Sequence, residues 1–210
     1  MTALHSLGLT PADRGRDLSF LGDCPALKSV ELYNCTELAD LSALVSASGL
    51  KHVHLGNVPR LRDLRALTGL TDLRSLGIAR PSLSVGLDAV TPILDRLASL
   101  CVWSMPTATS LQALAGSALE VFDLGSCPVA DLEPLGTLQS LTQVWLRSLP
   151  ALNVAPLAML PHLRELYLID MEEPVDLSPL ARTDHRLRVH LHNTATMGNP
   201  GPLVKIRKFL

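Results

Sequence analysis

The chain has 210 residues, 47% of them hydrophobic but only 3% aromatic, and a formal net charge of -2. A charge so near balance excludes the global basic field that draws in nucleic acid or an anionic membrane, so neither partner is expected. The four cysteines (24, 35, 101 and 127) form no CxxC pair and no zinc-like spacing, which reads as reduced thiols in a cytoplasmic protein. The first residues lack a basic leader, and no apolar run approaches the length of a membrane helix.

Taken in chain order, one element recurs. The pattern L-x-x-L-x-L stands at Leu4-Leu7-Leu9, Leu27-Val30-Leu32, Leu50-Val53-Leu55 and Leu73-Leu76-Ile78. It continues at Leu97-Leu100-Val102, Leu119-Phe122-Leu124, Leu141-Val144-Leu146 and Leu163-Leu166-Leu168, and a ninth copy without its first leucine ends Val189-Leu191. Successive first leucines lie 22 to 24 residues apart. Apolar residues two apart predict a short strand in each copy.

A second signature follows each strand: DLSFL (17–21), DLSAL (40–44), DLRAL (63–67), GLDAV (86–90), SLQAL (110–114), DLEPL (131–135), NVAPL (153–157) and DLSPL (176–180). Its first residue is Asp, Asn, Ser or Gly, the types that accept from or relax the orphan amides at a helix start. Its two apolar residues three apart share one face of a single helical turn. Pro134, Pro156 and Pro179 suit a first turn and would break a long helix.

Each copy is therefore a coil: strand, turn, and a short helical turn on the opposite side. One coil cannot bury its own leucines, whereas stacked coils share a continuous core. The expected architecture is α/β, about nine coils over residues 1–194, with a parallel sheet on the concave side. The tail, 195–210, is expected to cap the last coil, with Val204, Ile206 and Phe209 covering its leucines and Lys205, Arg207 and Lys208 as a solvated end. The column after the strand (Cys35, Val58, Pro81, Met105, Cys127, Leu149 and Met171) is expected to point inward, which makes Cys35 and Cys127 buried structural residues.

A coil of this length with D-L-S-P-L after the strand resembles the leucine-rich repeats of bacterial internalins. The likeness covers residues 4 to about 193 and implies fold, not ligand. The end, RVHLHNTATMGNPGPLVKIRKFL (188–210), resembles the C-termini of actinobacterial NACHT-type NTPases, in which such repeats follow a nucleotide-binding switch domain and act as its sensor. The chain has no G-x-x-x-x-G-K-[ST] loop, so nucleotide would enter only through a missing upstream domain. The first strand begins almost at residue 1 with no polar cap before it, which suggests a fragment of a longer protein.

Binding residues are sought on the outward strand positions. Counting the first leucine as one, position three carries Ser6, Ser29, His52, Ser75, Ser99, Val121, Gln143, Glu165 and Arg188. Position five carries Gly8, Glu31, His54, Gly77, Cys101, Asp123, Trp145, Tyr167 and His190; position seven includes Tyr33, Trp103, Arg147 and His192. Both tryptophans and both tyrosines fall in these columns, the residue types enriched at interface hot spots. The competing reading is that they merely shield the sheet. Trp145, Arg147 and Tyr167 form the best cluster, with Trp103, Tyr33 and His54 as further candidates for contact with a protein ligand. Ser75, Gly77 and Ala79 leave a bare stretch that could admit a bulky group or mean nothing.

The pairs His52/His54 and His190/His192 each share a strand face but lack a third metal ligand, and read as exposed polar residues. Cys101 has no histidine in its own or an adjacent coil's columns, so no Cys–His nucleophile is expected. With no acid–base pair and no cofactor motif, the chain reads as a binding module and not an enzyme. Three binding roles compete: the sensor domain of a NACHT-type defence or signalling protein, a stand-alone intracellular adaptor or enzyme inhibitor, and a secreted adhesin, which the missing leader disfavours.

Overall fold

The structure, a computed structural model, describes residues 4–10 and 18–209, so the start of the DLSFL signature at Asp17 lies outside the described residues. The chain divides into two compact units, residues 1–107 and 108–210. The first holds β1 (Ser6–Leu9), β2 (Ser29–Tyr33), β3 (His52–Val58), β4 (Ser75–Pro81) and β5 (Ser99–Trp103), all parallel and paired in chain order. The second holds β6 (Val121–Gly125), β7 (Gln143–Arg147), β8 (Glu165–Ile169), β9 (Val175–Asp176), β10 (Leu187–His192), β11 (Thr196–Met197) and β12 (Val204–Phe209). There the sheet runs β6-β7-β8-β10-β12, again parallel, while β9 and β11 form a separate parallel pair.

Register follows the leucine pattern without a slip: Val30 faces Val53, and Leu146 faces Leu168. The inward leucines are fully buried, Leu32, Leu55, Leu124, Leu146 and Leu168 at 0% exposure. A one-residue slip would turn that whole set to water, so the pattern itself pins the pairing.

The second signature folds into single 3-10 turns, such as Ser42–Ser46 and Glu133–Thr137, closed by bonds like Leu44 N–H to Leu41 O at 2.9 Å. The leading Asp or Asn acts as an Asx turn. Asp131 Oδ1 accepts from the Glu133 amide at 2.8 Å, and Asn153 Oδ1 from the Ala155 amide at 2.9 Å. Among the described residues, only the copy after β4 runs longer, Leu87–Arg96, with Pro92 inside it.

The column after position seven was not anticipated. Asn34, Asn57, Arg80, Ser104, Ser126, Ser148, Asp170 and Asn193 all have φ between +42° and +55°. Short polar side chains tolerate this left-handed region best. It turns the chain off the strand so that the next residue, Cys35 or Cys127 for example, enters the core. The turned amides bond to the following coil: Asn34 N–H to Gly56 O at 2.7 Å and Ser148 N–H to Ile169 O at 2.9 Å. Asn57 also donates to the Asn34 side chain at 2.7 Å, and Asn193 to Asp170 at 3.0 Å.

The tail is a strand in its own right. β12 pairs in parallel with β10, setting Ile206 beside Val189 and Phe209 beside His192. Phe209 was expected to help cover the leucines of the last coil; the register puts it in the outward position-seven column, where it is 52% exposed. Ile206 does share the inward column but is still 39% exposed. Among the described residues, no helix is long and apolar enough to cross a membrane.

Candidate functional site

In residues 108–210, parallel pairing brings one side chain per strand into line about 4.8 Å from the next, close to the stacking distance of aromatic rings. Trp145 on β7 and Tyr167 on β8 use that spacing fully: their ring centroids lie 3.4 Å apart with planes 2° from parallel. His190 on β10 stacks on the other face of Tyr167 at 4.3 Å and 9°. Phe209 reaches His190 diagonally from the next column, at 5.4 Å and 13°. Four rings on four strands thus form one stack, bordering a shallow apolar groove of about 260 Å³ that also takes in Ile169 and His192.

Polar groups hold the stack at both ends. The Arg147 guanidinium sits 4.4 Å from the Trp145 ring centre, a cation–π distance. Its Nε and Nη2 donate to the two carboxylate oxygens of Asp123, both at 3.1 Å. At the other end, His190 Nε2 donates to Glu165 Oε2 at 2.5 Å, and Arg188 Nε donates to Glu165 Oε1 at 2.6 Å. Burial alone would raise the Glu165 carboxyl; the hydrogen bonds and charges of Arg188 and His190 outweigh it and hold Glu165 below the ordinary value.

His190 overturns its reading as an exposed polar residue. It is only 6% exposed, clamped between two rings, and its Nδ1 has no hydrogen-bond partner among the described residues. Sequence shows that His190 alternates outward, but not that rings on both neighbouring strands enclose it. Asp123 and Glu165 were missed as well, because their role exists only across strands.

In residues 1–107 the candidate rings are arranged differently. Tyr33 leans over Gly56, where an added Cβ would come within 2.5 Å of Tyr33 Cδ1. His54 leans over Gly77, whose added Cβ would overlap its Nδ1. Tyr33 and His54 meet at 5.0 Å with planes tilted by 34°. The bare stretch read at Gly77 is therefore covered by an imidazole. A polar groove of about 320 Å³ remains, lined by Glu31, His52, His54, Ser75 and Cys101 among others. Burial pushes the His54 imidazole below its ordinary pKa, against the pull of Glu31. Burial, then the negative charges of Glu31 and Cys101, raise the Tyr33 hydroxyl. Trp103, at the end of β5, belongs to this unit and is half-buried. Among the described residues, no group of three or more His, Cys, Asp or Glu is placed to hold a metal ion.

No protein-family model and no curated protein matches the chain. Solved structures do. An internalin of Listeria monocytogenes is 20% identical with a TM-score of 0.59, over 93% of this chain and 61% of its own. Internalin C2 of the same organism is 24% identical with a TM-score of 0.57, over 81% and 74%. A leucine-rich-repeat protein of Leptospira interrogans is 16% identical with a TM-score of 0.54, over 84% and 52%. The chain thus spans less than two thirds of the first of these, and at such identities the likeness concerns fold alone. The fold is a leucine-rich-repeat solenoid of the α/β class, each coil a parallel strand followed by a short helical turn. Two of these three structures are internalins, whose repeats the coil length resembles.

Proposed function

We propose that the chain is a protein-recognition module and not an enzyme, and that it binds its partner on the strand face of residues 108–210. The observation that carries this is the ring stack. Trp145 and Tyr167, stacked on each other with Arg147 held beside them by Asp123, offer aromatic area with an indole N–H and a hydroxyl on one rigid platform, the residue types of an interface hot spot. Tyr33, His54 and Trp103 are a second locus, in residues 1–107. Residues 195–210 serve as the cap in this reading, supported by the pairing of β12 onto β10.

The finer proposal is that the module is the C-terminal sensor of a cytoplasmic NACHT-type NTPase in bacterial defence or signalling. Its support is the sequence likeness of residues 188–210, and it requires a phosphate loop in the sequence encoded upstream. Capture of a partner, followed by calorimetry, tests the binding site. Trp145→Ala with Tyr167→Ala should weaken affinity by at least about 2 kcal/mol with the fold intact, while Lys28→Ala with Lys51→Ala leaves it unchanged. Loss of binding in the lysine pair alone would move the site to residues 1–107.

A further inference from the structure

The ring stack runs into a cationic surface. Its position-five column passes from His190 to Arg207 on β12. Residues 182–210 carry six of the 18 Lys and Arg and one of the 20 Asp and Glu, so this end is strongly positive in a chain whose net charge is -2. Arg164, Arg186, Arg188, Lys205 and Arg207 line one groove of about 560 Å³, with Leu203 among its apolar walls.

Two of these cations are already engaged. Arg188 is held by Glu165, and the Arg164 guanidinium donates to the carbonyls of Pro161 and Leu163 at 3.3 Å. Among the described residues, no carboxylate forms an ion pair with Arg186, Lys205 or Arg207. Glu165 is shared between Arg188 and His190, and Asp184, whose charge acts on Arg164, pairs with His185.

We propose that the partner of this face is an acidic protein segment in extended conformation. This rests on the protein-recognition reading above and adds the partner's chemistry. Apolar side chains of the segment lie on the Trp145–Tyr167–His190–Phe209 stack, and its carboxylates enter the groove beside Arg186, Lys205 and Arg207. The spacing fits. Lys205 and Arg207 are two residues apart on one strand, about 6.6 Å, and alternate side chains of an extended peptide repeat at that same interval. A nucleic acid fits less well: the basic surface does not continue along the stack, where Arg147 is paired with Asp123.

The test uses the full chain and a short synthetic peptide, a Phe-Phe pair followed by alternating Glu and Ser, against its Gln counterpart. By calorimetry the Glu peptide should bind, weaken as salt is raised, and exceed the Gln peptide by about tenfold or more. Lys205→Glu with Arg207→Glu, both exposed and outward, should lower the Glu peptide's affinity by a similar factor with an unchanged circular dichroism spectrum. Equal affinity for the two peptides, or no loss in the charge-reversed variant, overturns the acidic partner and leaves the ring-stack reading standing. Binding that survives Trp145→Ala with Tyr167→Ala but not charge reversal removes the stack, and with it the site proposed above. Absence of any binding by the Glu peptide, or tighter binding of a short single-stranded oligonucleotide, also overturns the proposal.

Discussion

In residues 1–107 an aromatic ring meets a glycine on the following strand and lies down over it; in residues 108–210 a ring meets another ring, and both stand and stack. Tyr33 over Gly56 and His54 over Gly77 are the first case, Trp145 on Tyr167 on His190 the second. The scaffold is the same in both, parallel strands with one outward residue per coil in each column. What differs is the size of the neighbour about 4.8 Å away. The lesson is that an exposed ring on a repeat sheet is defined by the residue one coil later. A glycine there yields a flat cover over polar ground, and a ring there yields a raised apolar platform.

The largest expected effect tests whether the two units share more than register. Leu55→Ala and Leu124→Ala remove equivalent, fully buried side chains, and each should cost about 2–5 kcal/mol in chemical denaturation. A midpoint unmoved by either would mean that position six is not part of the core in that unit.

Next in size is the stack itself. Trp145→Ala with Tyr167→Ala should cost about 1–2 kcal/mol of stability, since stacked pairs contribute beyond their buried area. Tyr33→Ala, which removes a tilted and 38% exposed ring, should cost less than about 1 kcal/mol. Equal losses would erase the distinction between standing and lying rings.

The pH dependence separates the units by the value at which acid acts. His54 has its pKa lowered by burial, so the unfolded chain takes up a proton first, and stability falls as pH drops below the ordinary histidine value. Glu165 is also lowered, so its contribution is present above the ordinary carboxylate value and disappears as pH falls through the folded one. His54→Gln should flatten the upper part of a stability–pH curve, and Glu165→Gln the lower part. A curve unchanged by Glu165→Gln would mean that the contacts with Arg188 and His190 do not persist in solution.

Smallest in energy but sharpest in geometry is Gly77→Ala. The new methyl group must displace the His54 ring, at a cost of under about 1 kcal/mol because the imidazole can swing to solvent. The His54 ring resonances should shift, and its pKa should move back up toward the ordinary value. Unmoved resonances would show that His54 does not rest on Gly77.

Much of this molecule was legible because its pattern repeats. Leucine spacing determined the strands, their parallel order and the side on which each residue emerges, since a strand alternates and a slip would expose the core. Trp145 and Tyr167 could be assigned to adjacent places in one column for that reason. The strand at 204–209 was harder to read: Leu203 and Ile206 keep positions one and four, but Lys208 stands at position six, where the other copies have an apolar residue.

What only the tertiary structure decided is lateral. His190 has the same outward alternation as His54, yet it is buried at 6% exposure because Tyr167 and Phe209 close over it. Arg147 looked like an open donor until Asp123, a coil earlier, met its guanidinium through two hydrogen bonds. Periodicity along the chain says which face a side chain takes, because that follows from backbone geometry alone. Whether the side chain then lies down, stacks or pairs depends on the size and charge of residues more than twenty positions away, which become neighbours only when the coils stack.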